Sequence, residues 1–217
     1  MQAWLTAVDI YCERLDASFW AEPINALTNL AFWIAAVLIW RCAEKGTGAR
    51  LLGACVALIG LGSFLFHTFG NRLTGLLDVA FIAIFLVAFA YLLPRTTWAQ
   101  SRWRAVLSVL LMLTVIALVT RLFGHWQQAV SWLPPGLYVG AWLSLLIYAA
   151  LTQMKGLVVA RYLWLGAGVF VVSLTARQLD TPLCEQTGGL HWLWHLCNAF
   201  VLWACSSAIT RPTAKLA

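Results

Sequence analysis

The sequence predicts an all-α integral membrane protein, a seven-transmembrane helix bundle with its N-terminus outside and its C-terminus in the cytoplasm. Three observations predict it. The chain is 62% hydrophobic and only 10% charged, with a mean hydropathy of +0.83, far from the profile of a soluble domain. Seven segments approach the roughly 20 apolar residues that a helix needs to cross a bilayer while satisfying its own backbone. Finally, Lys and Arg alternate between rich and poor ends along the seven segments.

The expected spans are residues 24–40, 50–68, 74–93, 103–122, 135–153, 158–176 and 189–210. One set of ends holds Arg41, Lys45, Arg50, Arg95, Arg102, Arg104, Lys155, Arg161, Arg211 and Lys215, and the other only Arg14, Arg72, Arg121 and Arg177. Basic residues accumulate in short cytoplasmic loops, so the second set faces outward. The net charge of +6 is then a topology signal. It gives no reason to expect nucleic acid as a partner, because no basic stripe with interleaved aromatics stands on a soluble surface. Nor does any segment suggest an obligate protein partner.

Three parts follow: an acidic extracytoplasmic arm at 1–23, the spanning domain at 24–210 and a short cytoplasmic tail at 211–217. The arm lacks the basic start and apolar core of a signal peptide and is expected in the mature protein. The thirteen tryptophans are expected at the interfaces and in packing.

Ionisable groups inside spans are functional candidates. Ser63 and His67, in GSFLFH, are four apart near the end of the second span and share a helix face. Asp78 follows in the first turns of the third span, and His191 and His195, in HWLWH, open the seventh. All five fall near outer helix ends. Three neutral imidazoles are the donor set of a catalytic zinc that keeps an open position for water. Haem is the poorer reading of the histidine pair, because two residues on one helix face approach an iron from the same side. His125 stands apart and is expected in the loop between the fourth and fifth spans. Cys42, Cys55, Cys197 and Cys205 are expected as packing thiols.

Several of these stretches together, YCERLDASFWAEPINALTNLAF, GSFLFH, the later LD and CEQTGGLHWLWH, resemble the alkaline ceramidase family. That family belongs to a superfamily of seven-span hydrolases that includes adiponectin-receptor-like proteins. The resemblance runs from about Asp9 to about Ser206. It implies a catalytic Zn²⁺ on His67, His191 and His195, with Ser63 and Asp78 beside it. It also implies a structural or regulatory Ca²⁺ on the acidic arm, held by Asp9, Glu13, Asp16 and Glu22 with the backbone of Tyr11 or Cys12, since hard oxygen ligands suit that ion. A disulfide between Cys12 and Cys184 is implied as well.

The function implied is a zinc-dependent intramembrane amide hydrolase that cleaves the N-acyl bond of ceramide or of another N-acyl lipid near the outer membrane face. Asp78 would serve as general base and Ser63 as donor to the developing oxyanion. A seven-span metal-binding receptor or sensor is the competing reading, although the short loops and the tail RPTAKLA offer little signalling surface. A retinal protein needs a lysine within a span, and Lys45, Lys155 and Lys215 all fall outside the spans. Paired broken helices, which would favour a transporter, are absent from the pattern.

Overall fold

A computed structural model describes residues 2–42, 47–129 and 133–211. Lys45, Lys215 and the expected tail beyond Arg211 lie outside the described residues. Seven helices are long and apolar enough to cross a membrane: Pro23–Cys42, Gly48–Phe69, Arg72–Thr97, Arg102–Trp126, Gly136–Met154, Ala160–Leu179 and His191–Thr210. Each overlaps one expected span. One antiparallel bridge pairs Ala7 with Asn71.

Consecutive spans pack side by side, and the seventh closes the ring against the first. The seventh also reaches the second and third, so it sits toward the middle of the bundle. Small residues permit that packing, because close helix approach in an apolar solvent depends on short side chains. Ala199, Ala204 and Ala208 are buried along the seventh span, and Ala36 and Ala167 face the same core. Gly136 and Gly140 on the fifth span play this part against the fourth, where an added Cβ would meet Thr120 Cα at 2.5 Å and Ile116 Cα at 2.7 Å. The fourth span is the outermost, with Trp103, Leu107, Leu110 and Leu111 exposed on its outer side.

Three features depart from the expected elements. The first span is broken at Asn29 into Pro23–Thr28 and Leu30–Cys42. Thr28 Oγ1 donates to the Ile24 carbonyl at 2.8 Å and Asn29 Nδ2 to that of Asn25 at 2.9 Å, local bonds that compete with regular helix. The third span ends in one wide turn, Leu93–Thr97, around Pro94, which has no N–H to give to the ladder. The fourth helix runs on to Ala129, so His125 is helical and exposed and does not lie in a loop.

The acidic arm folds back over the end of the bundle where the second span ends and the third begins. Val8 N donates to the Gly70 carbonyl at 2.8 Å and Arg72 N to that of Thr6 at 3.1 Å. Gly70 is required there twice over. Its φ is +51°, and a Cβ would collide with the Arg14 guanidinium at 2.5 Å. The arm is also tied covalently, by a disulfide between Cys12 and Cys184.

Candidate metal centre

The seventh helix begins where a chain turn has been fixed by charge. Gly188 and Gly189 take positive φ, and the Asp180 carboxylate behind them is buried. Its Oδ1 accepts from Leu190 N at 2.7 Å and His191 N at 2.8 Å, while Oδ2 accepts from Cys12 N at 2.9 Å. One anion thus satisfies the open helix N-terminus and holds the arm against it. His191 and His195 then project from one face, as their spacing requires.

They meet His67 from the second span. Ring centroids are 5.0 Å apart for His67 and His191, and 4.7 Å apart for His67 with His195 and for His191 with His195. One nitrogen from each ring lies within 4.8 Å of the others, and the three side chains are at most 2% exposed. Among the described residues this is the only such group of three His, Cys, Asp or Glu side chains.

Neighbours fix how two of the rings present themselves. His67 Nδ1 donates to Glu22 Oε2 at 2.5 Å, which leaves Nε2 with its lone pair; that atom is buried without a partner. Thr28 has a single hydroxyl proton, given to the backbone, so it accepts from His195 Nδ1 at 2.9 Å. His195 Nε2 is then also unprotonated, with Ser63 Oγ 3.4 Å away. His191 Nδ1 is a second buried nitrogen without a partner. Metal-bound histidines are oriented by such outer bonds. Orphaned imidazole nitrogens this deep are costly unless an ion takes them, so the residues present fit a three-histidine Zn²⁺ site.

Glu22 is the hub of this surround. It is 2% exposed and accepts from Arg14 Nε at 2.5 Å and from Asn25 Nδ2 at 3.1 Å as well as from His67. Burial alone would raise its carboxyl, but the hydrogen bonds it accepts from His67, Asn25 and Arg14 hold it below the usual carboxylate range. Arg14 in turn donates to the His67 carbonyl at 2.9 Å and the Asp16 carbonyl at 3.4 Å. Tyr11 lies flat on His191, ring centroids 3.7 Å apart, and burial pushes its phenol above the ordinary value, so it stays neutral.

Ser63, Asp78 and His195 line one cavity of about 120 Å³ whose walls are almost entirely apolar. Gly62 brings Asp78 there, because a Cβ at that position would meet Phe81 at 2.7 Å and Asp78 Cα at 3.2 Å. The second and third spans therefore touch backbone to backbone beside the histidines. The cavity includes Tyr138 and Trp194 on its rim, and the Arg177 guanidinium lies over both rings, at 5.2 and 5.6 Å.

Among the described residues, no three of the carboxylates expected to hold calcium come within 4.8 Å of one another. Glu13 accepts from Ile24 N at 2.6 Å and Asn25 N at 2.8 Å and so caps the first span. Asp16 Oδ1 accepts from Ser18 N at 2.8 Å, Glu22 is engaged as described, and Asp9 is exposed. Tyr11 contributes its ring to the histidines. Sequence reading gave Thr28, Asp180, Asn25 and Gly62 no role and Arg14 only a topological one, and their only local signal is polarity or smallness inside or beside an apolar run. The free thiols Cys55 and Cys205 are buried, Cys197 is half-buried and Cys42 is exposed.

Neither a scan against protein-family models nor a search of curated proteins gives a match for this chain.

Proposed function

We propose that this chain is a zinc-dependent intramembrane lipid amide hydrolase, of the kind the alkaline ceramidase resemblance implies, cleaving the N-acyl bond of ceramide or a closely related N-acyl lipid. One observation carries the reading: three buried histidines, two with orphaned nitrogens, converge beside an apolar cavity that one of them, His195, lines together with Ser63 and Asp78. Zinc bound there would polarise a carbonyl and lower the pKa of a coordinated water.

The protein's own groups supply the rest. Glu22 and Thr28 hold His67 and His195 with their Nε2 lone pairs directed inward. Asp78 accepts a proton from the attacking water at its carboxylate and returns it to the leaving amine nitrogen, so the amide and water become an amine and a carboxylic acid. Ser63 Oγ–H donates to the carbonyl oxygen as negative charge develops on it. The apolar walls hold a hydrocarbon chain with its amide near the histidines and keep bulk water from the reacting atoms. The basic-residue asymmetry puts the histidine end outside, with an extracytoplasmic site.

The test is metal analysis of purified protein alongside hydrolysis of a panel of N-acyl lipids with and without chelator. Zinc near one equivalent and chelator-sensitive release of fatty acid are expected. His67→Ala and His195→Ala lose both, while Asp78→Asn keeps zinc and loses turnover. Full activity in either histidine variant, or in metal-free protein, overturns the proposal.

A further inference from the structure

The cavity below the histidines has a floor. From His195 to Cys205 on the seventh span is ten residues, and from Asp78 to Phe89 on the third is eleven, so at 1.5 Å per residue it runs about 15 Å into the bundle. That is roughly half of a ~30 Å hydrocarbon core, the depth of one leaflet. Beyond lies a second cavity of about 320 Å³ toward the opposite, basic end, with Trp98, Arg104 and Lys155 among its walls and open on its outer side, where Leu107, Leu111, Ile147 and Leu151 are exposed. The two share only Met112, Ser144 and Tyr148.

Of those three, Tyr148 is the large and immobilised one. It is 6% exposed, and its hydroxyl pairs with Ser108 Oγ of the fourth span at 2.9 Å. Its ring stands edge-on to Phe89 at 5.7 Å and is tilted against Trp98 at 6.1 Å. A side chain held by a polar bond on one side and aromatic rings on two others does not swing aside for a methyl group. We infer that Tyr148 is the partition between the two cavities and sets the maximum length of hydrocarbon chain the upper one accepts. The inference rests on the proposed lipid-hydrolase reading for the identity of that chain.

A saturated chain reaching from the histidines to the ring fills the upper cavity. Each further pair of methylenes finds no room in the upper cavity unless the close-packed ring is displaced, so binding falls off beyond that length. Tyr148→Ala removes the ring and joins the cavities, so longer chains continue toward the basic end. Tyr148→Phe keeps the ring and loses only the Ser108 bond. Ser144→Leu adds bulk at the floor and shortens the chamber.

The experiment measures binding of N-acyl lipids of graded acyl length to full-length protein by native mass spectrometry, with hydrolysis of the same series measured separately. Wild type shows a sharp length limit. Tyr148→Ala moves it to longer chains, Ser144→Leu moves it to shorter ones, and Tyr148→Phe leaves it in place. An unchanged limit in whichever of the Ala and Leu variants folds overturns the partition, as does wild type that binds all lengths equally or none. A shifted binding limit without hydrolysis of any lipid upholds the partition and removes the hydrolase reading, so the two fail separately.

Discussion

Glu22 offers the most exacting test of how the centre is built. It orients His67 through Nδ1 and neutralises the buried Arg14, and these two duties separate in variants. Glu22→Ala leaves the His67 ring without its outer partner, a change that costs about 10–100-fold in metal affinity, or about 1.4–2.7 kcal/mol. Glu22→Gln retains an amide oxygen able to accept from Nδ1–H and falls at the tenfold end. Both variants strand the Arg14 guanidinium. The cost of breaking a buried pair is about 3 kcal/mol, the low end of its range, because the His67 and Asp16 carbonyls remain as acceptors at 2.9 and 3.4 Å. Combining Glu22→Gln with Arg14→Met removes both charges, so it recovers thermal stability but not zinc affinity. Zinc competition against a chromogenic chelator reads the first quantity and melting in detergent the second. Wild-type affinity in Glu22→Ala, or affinity restored together with stability in the double variant, would refute the assignment of Glu22 as the ring-orienting group.

Replacing Cys12 or Cys184 by Ser releases a crosslink spanning 172 residues, worth at most about 5 kcal/mol by loop-closure arithmetic, and the expected result is an arm cut readily by protease while the spans stay intact. Asp180→Ala leaves the N–H groups of Cys12, Leu190 and His191 without their acceptor, at about 1–3 kcal/mol for each that water does not reach, and faster hydrogen exchange at the start of the seventh helix checks it. Gly62→Ala forces the second and third spans apart at Asp78, destabilising by about 1–3 kcal/mol and lowering turnover with zinc retained; measuring zinc and activity together distinguishes this from a damaged metal site.

The spans were legible in sequence because membrane insertion reads a one-dimensional quantity, apolarity summed over roughly 20 residues. The histidine pair was legible for a similar reason, since an i, i+4 spacing fixes a shared face whatever the tertiary fold. His67 could be matched to them only by depth, and the structure brings it into contact. The acidic arm shows where such reading stops. Asp9, Glu13, Asp16 and Glu22 look alike in sequence, yet one is exposed, one caps a helix, one closes a local turn and one supports a histidine. Nothing local separates them, because each role depends on which N–H or cation the fold delivers to the carboxylate.

By itself, then, the sequence determined seven helices long and apolar enough to cross a membrane and a set of polar residues near one end of them, since hydropathy and helical periodicity are properties of a single chain segment. Tertiary structure decided the convergence of His67 with the seventh helix, the pairing of Arg14 with Glu22, the break that turns Thr28 to His195 and the Tyr148 floor. All four join residues of different elements or the packing between them. Distances between helices follow from small residues, steric fit and desolvated hydrogen bonds across the interface, and these have no signature in either segment read alone.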